Sequence, residues 1–244
     1  MYRFRIEYSK EGPVAYVSHL DLNRMFERAA RRAELPVALS QGYHPHYRFS
    51  FGSVLPVGME GEREYFDVEL NDQSESDKQY TSLDIQKAFS EQMPTGLGIR
   101  RVVEIPLEAP GLMALIDTAC YSVVARLQTG DVIQSAEELQ QALRTALKCD
   151  SWSITRSNDK GSREIDARLG LSSLDLTWDE GLVQGDIWMK ISSQVAVRPG
   201  EVLDSLERYS RVIWDRESLR IRRTGLFVTR EGRRLSPMEA ITKD

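Results

Sequence analysis

Tyr2, Phe4, Ile6 and Tyr8 alternate with Arg3, Arg5 and Glu7, and from residue 19 the apolar spacing changes from two to three and four. Period two belongs to a strand with one covered and one wet face, and period 3.6 to a helix with a buried stripe. That switch, strand then helix within the first 33 residues, most narrows the folds open to the chain. Between them, Lys10-Glu-Gly-Pro13 reads as a turn and residues 14–17 as a short extended return. Ser18 stands three residues before Asp21, which marks a capped helix start. Leu22, Met25, Phe26, Ala29 and Ala33 then form a buried face, and Pro36 forbids continuation.

The order continues with a strand over 47–51, a turn at Leu55-Pro-Val-Gly58 and a strand over 64–70. A polar stretch, 71–80, reads as a mobile loop. Leu83, Ile85, Ala88 and Phe89 suggest a short helix, and a strand ends near Ile105. Strand, helix, strand, strand, helix, strand is the ferredoxin-like order. The second half repeats the pattern. A strand over 121–127 precedes a helix opened by Ser135 and Glu138. Strands over 152–157, 165–169 and 187–191 surround an irregular insertion with Leu174, Leu176 and Trp178. Pro199 opens a helix, and 219–223 closes the unit. The expectation is an α+β chain of two tandem ferredoxin-like (βαββαβ) units, 1–108 and 117–235, with a frayed tail after Leu235.

Composition bounds the function. Apolar content of 41% and charged content of 28% are those of a soluble globular protein. No apolar run approaches the roughly 18 residues of a membrane span, and the immediate strand leaves no secretory leader. The two cysteines, Cys120 and Cys149, form neither a metal pattern nor a disulfide framework, so reduced thiols and a cytoplasmic location are expected. A net charge of −5 argues against a general nucleic-acid coat protein. The charge is uneven, however: the first fifty residues are net basic, 60–91 is acidic and 216–234 is basic again.

Residues 18–58 gather polar hydrogen-bonding groups beyond what a core needs. All three histidines, His19, His44 and His46, lie there. Arg24, Arg28 and Arg32 are spaced four apart and stack along one helical face, where with Arg48 they could grip phosphates. The alternatives are a solvated face with Glu27 and Glu34 as partners, or pairing with Glu64 or Asp67. Tyr43 could stack a base, while Tyr47, Phe49 and Phe51 share one strand face and read as core. His19, His44 and His46, with Asp21, match no known ligand spacing, so no metal site is assigned. His46 or His19 with Tyr43 or Tyr16 could run metal-independent RNA cleavage by acid–base catalysis. In the second half, Asp166, Arg168, Arg198 and Arg223 are candidates for an Asp–Arg pair joining the two units.

Several strings carry a resemblance. Ser18-His-Leu-Asp21, Arg24, Arg28-Ala29, Arg31-Arg32-Ala33, Leu35-Pro36, Ser40-Gln-Gly42, Pro45-His46, Ser50-Phe51, Leu55-Pro-Val-Gly58 and Glu64-Tyr-Phe-Asp67 resemble the radical-SAM-linked family of uncharacterised bacterial proteins. Ile165-Asp-Ala-Arg168, Val197-Arg-Pro-Gly200 and Arg223-Thr-Gly-Leu226 look like its later landmarks. The resemblance implies partnership with a radical SAM enzyme, encoded nearby or fused in relatives, that carries an iron–sulfur cluster and S-adenosylmethionine. This chain would have no cofactor of its own, since three closely spaced cysteines are needed for that cluster and it has two in all.

The sequence therefore leads to a non-catalytic partner that binds a phosphate-bearing substrate, RNA foremost. Ser18, His19, Asp21, Arg24, Arg28, Arg32, Tyr43, His46 and Arg48 would form the binding surface. The alternatives are a metal-independent endoribonuclease or RNA-modifying enzyme using His46, His19 and Tyr43, and a module that only docks protein.

Overall fold

A computed structural model describes residues 1–72, 80–128, 133–158, 161–192 and 197–241. The expected mobile loop over 71–80 falls almost wholly outside the described residues. The chain is a mixed α+β protein. Its elements run β1 (Tyr2–Lys10), α1 (His19–Arg32), β2 (Phe49–Phe51), β3 (Glu60–Leu70), α2 (Ser82–Ser90), β4 (Leu97–Ile105) and α3 (Leu112–Leu115). Then come β5 (Thr118–Arg126), α4 (Ala136–Leu147), β6 (Ser153–Asn158), β7 (Gly161–Asp166), β8 (Leu171–Asp179), β9 (Leu182–Lys190), α5 (Pro199–Ser210), β10 (Arg220–Arg230) and β11 (Arg233–Leu235). Two compact units result, one of 1–117 with 223–244 and one of 118–222. Residues 223–235, grouped by the sequence reading with the second half, pack with the first.

In the first unit the strand order is β4-β1-β3-β10, with β2 on β3 and β11 on β10. β1 runs antiparallel to β3 and β4, as β2 does to β3. α1 forms where the periodicity places it. Ser18 caps it by accepting from the Asp21 amide, and Leu22, Phe26, Ala29 and Ala30 are buried on the sheet. Its end is a left-handed turn: Glu34 has φ 54° and the Leu35 amide reaches back to the Ala30 carbonyl at 3.0 Å. Phe26 lies at the centre of the core, its ring 4.3 Å from Phe66 and 6.2 Å from Phe89.

Three local expectations are corrected here. Residues 12–16 form a 3-10 turn instead of an extended return, because Gly12 sits at φ 59° and Pro13 presets the first helical turn. β1 has no wet face: Arg3 and Arg5 are buried, and Asp67 of β3 accepts from both. The tail after Leu235 is docked. Arg5 donates to the Pro237 carbonyl at 2.9 Å, and Met238 and Ala240 are buried. Those contacts explain the covered face, since carbonyls at Leu107, Ala109, Pro110 and Pro237 take further guanidinium protons.

The second unit departs from the tandem expectation. β5-β9-β8 make an antiparallel set, but β6 and β7 pair in a two-stranded sheet of their own. The supposed irregular insertion is β8, and Leu174, Leu176 and Trp178 are its inward set. Gly185 lies opposite Leu176, where a Cβ would sit 2.0 Å from the Asp175 carbonyl oxygen. Trp152 and Trp214 are fully buried, and each indole donates to a backbone carbonyl, of Ala146 and Leu203 respectively.

Candidate functional site

The acidic strand leaves most of the helix arginines alone. Glu64 and Asp67 of β3 are consumed by buried cations from other strands. Asp67 holds Arg3 and Arg5 at 2.8 Å each. Glu64 holds Arg223 through a two-point pair, with Nε donating at 2.7 Å, and Arg223 also donates to the Ser53 carbonyl. Both members of that pair lie in the first compact unit, and Arg223 takes a glutamate as partner in place of the expected aspartate. Asp166 instead accepts from the Trp152 and Arg168 amides, and Arg198 opens α5. Glu201, held by Arg156, caps that helix by accepting from the Arg198 amide.

The stripe on α1 is exposed. Arg24 pairs with Asp21 at 3.2 Å, and the Ser18 hydroxyl donates to the same carboxylate. The Ser18 bond is foremost in holding the Asp21 carboxyl below its usual range. Arg32 donates to the Gln92 side chain at 2.9 Å and to its backbone carbonyl at 2.7 Å. Arg28, between them, makes no hydrogen bond or ion pair among the described residues. Arg28 and Arg32 overhang a groove of about 360 Å³ between α1 and the turn that follows α2, floored by Met25, Met93 and Pro94. Glu91 also lines the groove, with Lys87 3.9 Å away as partial compensation. A groove of that size is within the range of small-ligand sites.

The other residues that the sequence singled out lie elsewhere. Arg48 is taken by Glu69 at 2.6 Å. Tyr43 is 99% exposed, and its nearest described ring is His44, 5.8 Å away edge-on. His46 is exposed, and only its backbone is fixed, by Ser40. His19 turns inward and meets Phe51 edge to face at 5.0 Å. The described residues therefore divide the candidates between a groove at the end of α1, an exposed loop and a small cavity beneath its start, not one shared hollow. No acid–base pair joins Tyr43 to His46 among them, and no group of three or more His, Cys, Asp or Glu among them is placed to hold a metal ion.

The cavity beneath His19 was not foreseen. It is lined by Tyr8, Lys10, His19, Phe51, Ser53 and Leu55 among others. Lys10, read from the sequence as part of a turn, ends β1 and is buried. Two residues past Tyr8, it continues the inward face of Phe4, Ile6 and Tyr8, where the 3-10 turn wraps it and the Ala15 and Val17 carbonyls accept from its ammonium. Burial holds Lys10 below the ordinary lysine value and pushes the Tyr8 phenol up. Burial, then the Lys10 charge, lowers His19. Glu64 and Arg223 are the other charges that act on this corner of the unit.

A histidine whose folded value lies below its unfolded one is protonated more readily in the unfolded chain. Its contribution is whole above the unfolded value of about 6.5 and is lost as pH falls beneath it. Replacing His19 by Gln should therefore flatten the fall in urea midpoint between about pH 7.5 and pH 5. A variant whose profile parallels that of the wild type would remove His19 from the titration.

A family model described as "Uncharacterized protein conserved in bacteria (DUF2344)" matches residues 3–199. No curated protein matches the chain. Among solved structures, an unknown protein from Galdieria sulphuraria is similar at 12% identity, with a TM-score of 0.25, over 91% of this chain and 97% of that one. A structure titled "An RAMP protein binding different RNA substrates" is similar at 9% identity, with a TM-score of 0.25, over 94% and 100%. No helix among the described residues is long and apolar enough to cross a membrane.

Proposed function

The chain belongs to this uncharacterised bacterial family, and on that premise we propose that it is a non-catalytic partner of a radical SAM enzyme. It holds a phosphate-bearing substrate, RNA foremost, on the exposed face of α1. The partnership rests on the resemblance carried by residues 18–67 and their later landmarks. The cluster and S-adenosylmethionine belong to the partner. We also read the first unit as a ferredoxin-like scaffold, for which the β4-β1-β3-β2 neighbourhood is the support.

One observation carries the binding reading: Glu64 and Asp67 of the acidic strand are neutralised by Arg3, Arg5 and Arg223, and Arg28 stays exposed and, among the described residues, unpaired between Arg24 and Arg32 over an open groove. Guanidinium forks four residues apart suit a run of phosphates. Tyr43, fully exposed on the 40–48 loop, is available to stack a base. His46 lies on the same loop and would supply directed hydrogen bonds. Arg48, already paired, contributes less.

The test is fluorescence anisotropy of a labelled single-stranded RNA at low salt. The Arg28→Ala protein, folded by circular dichroism, should bind severalfold more weakly. Absence of RNA binding while the SAM enzyme co-purifies would make the chain a docking module alone. Metal-free cleavage of the RNA that stops in His46→Ala would make it an endoribonuclease.

A further inference from the structure

Lys10 is the least compensated charge inside the first unit. It is 1% exposed, and its two acceptors are neutral carbonyls, Ala15 at 3.1 Å and Val17 at 2.7 Å. An ammonium has three protons to donate, so one is left over. The carboxylate whose field reaches it, Glu64, is already gripped by Arg223. Two buried cations therefore share one buried anion, an arrangement that costs free energy unless more negative charge enters.

A second donor lies beside it. Tyr8 is 4% exposed, and its hydroxyl makes no hydrogen bond among the described residues. Both side chains line the His19 cavity, where about 10 Å³ is open to the centre of a water molecule. That is room for a single oxygen atom. Its lining includes an apolar and accessible side chain: Val54 lines the cavity and is exposed.

The geometry points to an oxyanion well, a site that takes one terminal anionic oxygen of a ligand, carboxylate or phosphate. The third Lys10 proton and the Tyr8 hydroxyl are its donors, and His19 closes one side. The bound charge would balance the second cation, and the body of the ligand would rest on Val54. This site is separate from the arginine stripe and does not depend on it.

Inorganic phosphate and acetate, each titrated at constant ionic strength against chloride, are the probes. His19 imidazole signals from ¹⁵N-labelled protein are the readout. Either anion should shift them saturably and raise the pH at which His19 titrates. Phosphate acting alone identifies a phosphoryl ligand, and acetate acting alone identifies a carboxylate. Tyr8→Phe and Lys10→Met should lose the response, and Arg28→Ala should keep it. If Lys10→Met does not fold, Tyr8→Phe decides, since it removes one oxygen and leaves the ring. No saturable shift in the wild type, an unchanged shift in folded Tyr8→Phe, or a loss in Arg28→Ala would each overturn the proposal.

Discussion

Glu64→Ala should unfold the first unit at a urea concentration far below that of the wild type, with a loss of at least about 3–5 kcal/mol. Glu64 and Arg223 are 2% and 1% exposed, and they meet through two hydrogen bonds. Removing one partner of such a pair strands the other charge without water. The direction of the asymmetry follows from Lys10. Without Glu64, Arg223 and Lys10 remain as two buried cations with no carboxylate between them. Without Arg223, Glu64 and Lys10 remain, and they are of opposite sign. Arg223→Met should therefore cost less than Glu64→Ala, and the double variant should recover part of the loss. Urea midpoints for the three proteins check this. Equal losses for the two single variants would mean that Lys10 does not feel Glu64.

The second large effect is on binding. Replacing Arg24, Arg28 and Arg32 together by Ala should weaken single-stranded RNA on the order of 50-fold near 0.15 M salt. The figure follows from about 0.7 counterions released per phosphate contact, which amounts to roughly fourfold for each arginine. All three side chains are solvent-exposed, so the fold should be retained. Arg48→Ala should have a smaller effect on affinity, because the half-buried Glu69 holds that guanidinium at 2.6 Å, whereas Arg24 and Asp21 meet at 3.2 Å in open solvent.

How much of this could be read from the sequence differs by element, for physical reasons. α1 was legible from cap to stop, because Ser18, Asp21, the apolar stripe and Pro36 are local signals. β3 was legible through its alternation. β8 carries the same alternation at Leu174, Leu176 and Trp178, which the expectation of an irregular insertion passes over. β6 and β7 pair as neighbours in sequence, Asn158 opposite Gly161, whereas the return of 223–241 to the first unit depends on long-range pairing, which leaves no local mark. Arg5 and Pro237 meet across 232 residues. For the same reason the alternating arginines of β1 looked solvated, whereas Asp67 and the docked tail bury them. At the site, the arginine stripe was visible as a spacing of four. Which arginines the acidic strand takes is not visible in the sequence, and the answer, Arg3, Arg5 and Arg223 with Arg48 on Glu69, leaves Arg28 without an ion pair among the described residues. Lys10 continues the inward alternation of Phe4, Ile6 and Tyr8, but a lysine beside Glu11, Gly12 and Pro13 reads as the start of a polar turn.

The salt dependence of RNA affinity tests the central claim most directly. Plotted as log affinity against log salt, the wild type should fall more steeply than the Arg24/Arg28/Arg32 triple variant, by a slope difference of about 2. Coincident lines for two folded proteins would contradict phosphate binding on this face of α1.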